Sequence, residues 1–161
     1  MKFWVTIEIP QGSRNKYEFD HAKHRMKLDR RLFTSTSYPN DYGFIEETLG
    51  EDGDPLDALV LLEESTFPGC LILCRAIAML DMTDEAGGDD KIICVPAEDP
   101  RFDHYQNLSD IPQSHRNEIK HFFEVYKELE PDKNVHDTLT WLDRDPAERE
   151  VENSKKRFWA T

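Results

Sequence analysis

Seven short strand patterns occupy the first hundred residues, before any helical pattern begins. They are FWVTIEI, KYEFD, MKLDRRLF, YGFIEET, LDALVLLE, CLILCRAIAML and KIICVP. Each consists of alternating or continuous apolar residues, and turn-forming segments such as YPND, GEDGDP and DEAGGDD separate several of them. A run of short strands followed by helices is typical of a closed or half-closed barrel with helices packed against it. The sequence therefore predicts an α+β fold.

Helical patterns come late in the chain. Apolar residues recur at three- and four-residue spacing from Ile119 to Leu129, which predicts an amphipathic helix that ends at Pro131. A further strand, VHDTLTWL, is predicted next. With Asp145 as the cap and Pro146 as the first helical residue, the sequence predicts a second helix near the C-terminus.

The composition argues against several functional classes. The net charge of −13 argues against nucleic acid and anionic membranes as partners, because both attract basic surfaces. No apolar run is long enough to span a bilayer. The three cysteines lack a CxxC spacing, which favours free thiols in a reducing cytoplasm. Because no repeat or linker is present, we expect a single domain over residues 1–161.

The segment EDGDPLDALVLL, residues 51–62, places three aspartates beside an apolar strand pattern. An acidic surface turn is one interpretation, because Asp-Gly and Asp-Pro form turns. An EF-hand is excluded, because Leu56 falls at a ligand position and the loop lacks its central Gly and closing Glu. Asp52 and Asp54 lie on the turn and Asp57 begins the strand, and oxygen ligands so placed favour Mg²⁺ or Mn²⁺.

A second acidic segment, DMTDEAGGDDK, covers residues 81–91 and carries five carboxylates around a Gly-Gly pair. Alone, it is typical of a surface hairpin. If it converged with DGDPLD, the two loops could hold two metal ions, which activate water and bind a phosphoryl oxygen. Lys16, Arg30 and Lys91 each lie beside an acid, and we interpret them either as surface ion pairs or as ligands of a small phosphate compound.

These motifs together resemble those of the soluble family I inorganic pyrophosphatases, and most of all the short bacterial, actinobacterial-type members. The resemblance covers roughly residues 3–131 and rests on IEIP, NKYE, LDRRL, YPNDYGF, DGDPLDAL, FPG, DEAGGDDK and KHFFEVYKELEP. The combination of DGDPLD with DEAGGDDK is its most specific part. The resemblance implies a five-stranded OB-like β-barrel with two or more flanking helices. It also implies a homo-oligomer, with a homohexamer favoured.

The implied activity is Mg²⁺-dependent hydrolysis of inorganic pyrophosphate to two orthophosphates, which draws pyrophosphate-releasing biosynthetic reactions forward. The family carries it out by direct in-line attack of a metal-activated water, with several Mg²⁺ ions in each site and Mn²⁺ as a substitute. A protein nucleophile is not expected, because the sequence holds no motif such as GxSxG. A broader two-metal phosphohydrolase and a non-catalytic OB-type anion-binding module are the alternatives.

The resemblance also implies roles for individual residues. Asp54 would deprotonate the attacking water, with Asp89 as the alternative base. The implied metal ligands are Glu8, Glu18, Asp52, Asp57, Asp84 and Asp89, with Asp57 shared by two ions. The implied phosphate-binding residues are Lys16, Arg30, Tyr42, Lys91, Tyr126 and Lys127. Seven acids thus accompany four cations, so the metal-free site would repel pyrophosphate. His21 lies near Lys16 and Glu18 in the sequence and has no implied role.

Overall fold

The computed structural model describes residues 1–84, 87–131 and 138–161, and it contains a closed five-stranded barrel. The strands in these residues are β1 (Phe3–Ile9), β2 (Asn15–Asp20), β3 (Arg25–Arg31), β4 (Asp41–Ile45), β5 (Asp57–Val60), β6 (Leu71–Asp84), β7 (Gly87–Gly88), β8 (Lys91–Pro96) and β9 (Thr138–Asp143), and the α-helices are α1 (Gln113–Val125) and α2 (Arg144–Trp159). The barrel follows the order β1, β4, β5, β8, β6, and β6 pairs again with β1 to close the ring. The predicted five-stranded barrel with flanking helices is confirmed.

Strand β6 closes the barrel because it is long enough to pair with four other strands. Its first residues pair with β1, its middle pairs with β8, its later residues pair with β9, and its end pairs with the short β7. The register against β8 shifts between Ala76 and Ala78. An extra residue at such a bulge bends a strand and increases its twist, which lets one strand serve two parts of a barrel.

The close contact between β1 and β4 requires a glycine at position 43. A Cβ atom at Gly43 would lie 1.9 Å from the backbone oxygen of Thr6 and 2.9 Å from the Cα of Ile7. Glycine inside a strand marks this kind of close backbone approach. The neighbouring Tyr42 and Phe44 are thereby held against the barrel, and both line the cavity described below.

Two hydrophobic clusters lie on opposite faces of β5. Because successive residues of a strand point to opposite faces, Leu59 joins the cluster that contains Phe123 of α1, and Val60 joins the cluster that contains Val151 of α2. Each helix thus covers one cluster. Within the described part of the chain, no helix combines the length and apolar character needed to cross a membrane.

Helix α1 ends earlier than the sequence predicts. It was expected to continue to Pro131, but its last residue is Val125. The N–H groups of Glu128 and Glu130 bond to carbonyl groups three residues earlier, each at 3.1 Å, so the chain continues as tight turns. Pro131 also disfavours the helical conformation of the residue before it. The apolar pattern therefore continues beyond the helix itself.

The start of α2 also differs from the prediction. The helix begins at Arg144, and its cap is Asp143, whose Oδ1 accepts a hydrogen bond from the Arg144 N–H at 2.8 Å. Asp145 and Pro146 therefore lie inside the first turn, where a missing proline N–H breaks no helical hydrogen bond. The preceding strand was predicted as VHDTLTWL. It is present as β9 from residue 138, and residues 135–137 lie outside the described ranges.

We expect Gly43→Ala to destabilise the protein by about 3 kcal/mol, because the new methyl group meets backbone atoms of Thr6 and Ile7 in the paired strand β1. Gly12→Ala is the matched control. Gly12 has a φ of +86° but open space around it, so its substitution adds only conformational strain of about 1 kcal/mol. Urea unfolding of both variants measures the difference. Equal losses would contradict the role assigned to Gly43.

Candidate active site

A cavity of about 350 Å³ opens where the barrel, the β2–β3 hairpin and the turn after α1 meet. Six carboxylates line it, together with three lysines, two tyrosines predicted to bind phosphate, and His21. The lining residues that were predicted from the sequence are Glu8, Lys16, Glu18, Tyr42, Asp52, Asp54, Asp57, Asp89, Lys91, Tyr126 and Lys127. The fold thus brings together residues from six separate segments of the sequence.

Lys91 lies at the centre of the acidic group. Parallel pairing of β5 with β8 places Asp57 directly opposite Lys91, and Asp89 precedes Lys91 by two residues. The Lys91 Nζ donates hydrogen bonds to Asp57 at 2.7 Å, to Asp89 at 2.9 Å and to the Tyr42 hydroxyl at 2.8 Å. The side chain is only 2% exposed. Its three N–H groups therefore all have partners, and its charge is fixed in place.

Burial shifts the pKa values of Lys91 and of the residues bonded to it. Burial raises the pKa of Asp57 to about 6, although the charge of Lys91 opposes the rise. For Lys91, burial lowers the pKa, but the acidic groups around it, Asp57 foremost, together outweigh burial and hold that pKa well above its usual range. Burial likewise raises the pKa of the Tyr42 hydroxyl well above its usual range, so Tyr42 is a neutral hydrogen-bonding group.

The β2–β3 hairpin forms a separate two-stranded sheet beside the barrel. Its link to β1 is a hydrogen bond from the Phe19 N–H to the Glu8 carboxylate at 2.9 Å. Burial nevertheless raises the pKa of Glu8 to about 7. Lys16 Nζ donates to Glu18 at 2.5 Å and to Asp29 at 3.5 Å. The hairpin therefore presents Lys16 and Glu18 at the cavity in contact with each other.

The loop that contains Asp52 and Asp54 is held by its own side chains. The Asp54 N–H donates to the Asp52 carboxylate at 3.0 Å, and both residues are exposed at the cavity. Burial of its carboxylate raises the pKa of Asp52. Asp84 ends β6, but its side chain lies outside the described part of the molecule, so its predicted role as a metal ligand stays a prediction.

Arg30 and His21 differ from the other residues in what their side chains contact. The Arg30 side chain is not among the described residues that line the cavity, and it bonds instead to Asp29 and Glu130. His21 does line the cavity, but its ring packs against Phe19 at 5.0 Å and Phe44 at 5.8 Å.

Asp29 and Glu130 are further residues at the edge of the site, and the sequence motifs gave them no role. Asp29 precedes Arg30 in the motif LDRRL, so adjacency in the sequence could have indicated it. Glu130 lies 100 residues from Arg30, and no local pattern signals that contact.

The whole chain can be compared with known proteins. A family model described as inorganic pyrophosphatase matches residues 5–159. The chain belongs to this family. An inorganic pyrophosphatase of Streptomyces coelicolor is 65% identical over 158 residues, which cover 98% of this chain and 96% of that protein. An inorganic pyrophosphatase of Corynebacterium efficiens is 53% identical over 160 residues, covering 99% and 100% of the two chains.

Solved structures of inorganic pyrophosphatases share the fold of this chain. The crystal structure of the inorganic pyrophosphatase from Thermus thermophilus superposes with a TM-score of 0.92 at 47% identity, covering 98% of this chain and 91% of that one. An inorganic pyrophosphatase from Coxiella burnetii gives a TM-score of 0.91 at 42% identity, with coverage of 98% and 95%. The resemblance read from the sequence motifs is therefore confirmed at the level of the family.

Membership of the inorganic pyrophosphatase family implies dependence on divalent metal ions, and the donor set of the cavity fits such ions. In the described residues, no three His, Cys, Asp or Glu side chains already converge on one point. Mg²⁺ does not require this, because it keeps several waters when it binds and these waters can bridge to carboxylates that lie further away. Glu8 and Asp57 are carboxylates whose pKa is raised by burial, so a nearby cation would stabilise their charged forms.

We expect the metal-free pyrophosphatase to become more stable as the pH falls from 7.5 to 5. Glu8 and Asp57 bind a proton more tightly in the folded protein than in the unfolded chain, because folding raises the pKa of each. Their contribution to stability is complete below about pH 4 and is lost as the pH rises through about 6 to 7. The gain in the free energy of unfolding, measured with urea in EDTA, should be about 2 kcal/mol.

Three variants test the origin of this dependence. Glu8→Gln and Asp57→Asn should each weaken the dependence of the free energy of unfolding on pH, because each removes one group whose pKa changes on folding. Glu64→Gln is the control, since Glu64 is an exposed acid outside the cavity. The same slope in all four proteins would show that the acids of the cavity do not cause it.

Proposed function

We propose that this chain is an inorganic diphosphatase that hydrolyses pyrophosphate to two orthophosphates, with the bond between the bridging oxygen and one phosphorus broken by water. Membership of the family supports the activity. The observation that carries the assignment to this cavity is that acids from both predicted loops line it together with Lys16, Lys91 and Lys127. Oxygen donors for cations and ammonium groups for phosphate therefore share one cavity.

We propose Mg²⁺ as the metal, with Mn²⁺ as a substitute. Asp52, Asp57 and Asp89 would hold one ion, and Asp57 would be shared with a second. Asp84 and Asp89 would hold an ion associated with the substrate, and Glu18, together with Glu8, would hold a further one through water. When bound, such ions supply Lewis acidity toward phosphoryl and water oxygens. The carboxylate set supports this assignment, because Mg²⁺ prefers oxygen ligands.

Asp54 is the proposed general base. Its carboxylate is exposed at the cavity, whereas those of Asp57 and Asp89 already accept hydrogen bonds from Lys91. A base must be able to reach the proton that it removes, and an exposed carboxylate can do so. Asp54 would take the proton of the attacking water as the water oxygen bonds to phosphorus. Asp89 remains the alternative base, but its carboxylate already accepts a hydrogen bond from Lys91.

Cations and hydroxyl groups of the chain would bind the phosphates. Lys16 and Lys127 lie at the cavity surface and would meet the charge on the two phosphoryl groups. Lys91 would contribute its fixed positive charge, and Tyr42 and Tyr126 would contribute hydroxyl groups. The Lys127 ammonium lies 5.3 Å from the centre of the Tyr126 ring, which supports their joint placement. Arg30 would bind the phosphate of the leaving group.

Assembly and location are also part of the proposal. We infer a homo-oligomer, with a homohexamer favoured, from the resemblance to bacterial members of the family. A cytoplasmic location is supported by the buried positions of Cys74 and Cys94, which carry free thiols in the structure. We further propose that residues 1–161 form one domain, in agreement with a family model that matches nearly this whole range.

Phosphate release from three compounds tests the activity. In Mg²⁺ the protein should release orthophosphate from pyrophosphate much faster than from ATP or nitrophenyl phosphate. EDTA should abolish the activity, and Ca²⁺ should not restore it, because Ca²⁺ takes more ligands at longer distances and acidifies water poorly. Similar rates with all three compounds would favour a broader phosphohydrolase, and full activity in EDTA would rule out the proposed metal dependence.

Two conservative variants separate the base from the shared metal ligand. Asp54→Asn should lower kcat by about 10²- to 10⁴-fold and leave the affinity for Mg²⁺ close to that of the wild type, because the other carboxylates remain. Its residual activity should rise with pH from 6 to 10, as free hydroxide replaces the base. Asp57→Asn should weaken Mg²⁺ binding as well as turnover. Equal loss of Mg²⁺ affinity in both variants would make Asp54 a ligand and Asp89 the base.

A further inference from the structure

The Arg30 side chain lies beside the cavity, and hydrogen bonds to two carboxylates fix its orientation. Strand pairing places it opposite Lys16, which lines the cavity. The Arg30 Nη1 donates a hydrogen bond to Asp29, and the Nε donates to the Oε1 of Glu130 at 2.5 Å. The orientation of this predicted phosphate ligand therefore depends on Glu130, to which neither the resemblance nor the proposed mechanism gives a role.

Glu130 reaches Arg30 because α1 gives way to tight turns after Val125. The same turns carry Tyr126 and Lys127 at the cavity. The Glu130 side chain is 12% exposed and that of Arg30 is 29% exposed, so the pair is more buried than an ordinary surface ion pair. The contact joins the hairpin to the turn after α1, and these are two of the three parts of the molecule that form the cavity.

The two hydrogen bonds leave part of the guanidinium group available. A guanidinium carries five N–H groups in one rigid plane. Glu130 accepts from the Nε–H and Asp29 accepts from one N–H of Nη1. Among the contacts of the described residues, the two N–H groups of Nη2 and one of Nη1 are left to meet a phosphate oxygen. Because the plane is already fixed, Arg30 loses less freedom when the phosphate binds.

We propose that Glu130 is a positioning residue, which acts through Arg30 to pre-orient the guanidinium group for a phosphate of the substrate. The inference rests on the proposed function, because it assigns Arg30 to the binding of pyrophosphate. Glu130 itself does not contact the substrate. Its effect is on the affinity for the substrate more than on the chemical step.

Substitutions at position 130 test the proposal. Glu130→Ala removes the carboxylate, and it should raise the KM for pyrophosphate by about two- to tenfold and change kcat by less than about twofold. Glu130→Gln keeps an acceptor oxygen without the charge, so its KM should lie between those of the wild type and the alanine variant. Glu128→Ala is the matched control, because Glu128 is an exposed glutamate of the same turn. Thermal unfolding of each variant establishes that it is folded.

A double variant tests whether Glu130 acts through Arg30. In an Arg30→Gln protein, Glu130→Ala should add no further rise in KM, because no guanidinium remains to be positioned. Effects that multiply would overturn the proposal. It would also be overturned if Glu130→Ala behaved like Glu128→Ala. A fall in KM would overturn it too, since Glu130 would then compete with the substrate for Arg30.

A binding measurement separates this inference from the proposed function. Calorimetry with imidodiphosphate, a pyrophosphate analogue with a nitrogen bridge, should show the same two- to tenfold loss of affinity in Glu130→Ala and none in Glu128→Ala. Wild-type protein that binds the analogue without hydrolysing pyrophosphate would refute the proposed function and leave this readout intact. Wild-type protein that hydrolyses pyrophosphate while Glu130→Ala matches the control would refute only the positioning role. Wild-type protein that does neither would refute both.

Discussion

The buried ammonium group of Lys91 is the feature on which the rest of the site depends. Removing a charge from water is costly, and Lys91 can be buried because Asp57, Asp89 and Tyr42 accept hydrogen bonds from all three of its N–H groups. The parallel pairing of β5 and β8 places Asp57 beside Lys91. The strand arrangement that completes the barrel therefore also builds the centre of the candidate active site.

The contacts with Lys91 do not fully neutralise the acids of the site. Burial raises the pKa of Glu8 and Asp57, although each of these residues has a hydrogen-bond donor. The cavity thus holds more carboxylates than its lysines neutralise, which makes the metal-free protein less stable near neutral pH. Divalent cations would remove that cost on binding. Stability is reduced at the same positions where function requires an affinity for metal.

The site also depends on contacts between parts of the chain that could move separately. The hairpin forms its own small sheet, and it meets the barrel through the Glu8–Phe19 hydrogen bond and the turn after α1 through the Arg30–Glu130 pair. Lys16 and Glu18 belong to this hairpin, and Lys127 belongs to the turn. Proper spacing of the phosphate-binding cations therefore requires these contacts, because orientation of a ligand depends on how rigidly its binding groups are held.

The sequence by itself determined the barrel with late helices, the family and most of the residues at the cavity, because DGDPLD, DDK and NKYE are local patterns with specific chemistry. It did not determine where the helices end or begin. Val125 ends α1 and Asp143 caps α2 because local hydrogen bonds compete with apolar periodicity. Only the tertiary structure decided that all three N–H groups of Lys91 bond to neighbouring side chains and that Glu130 accepts a hydrogen bond from Arg30. Contacts between residues 100 positions apart are set by how the barrel, hairpin and helices pack together, and packing leaves no local pattern in the sequence.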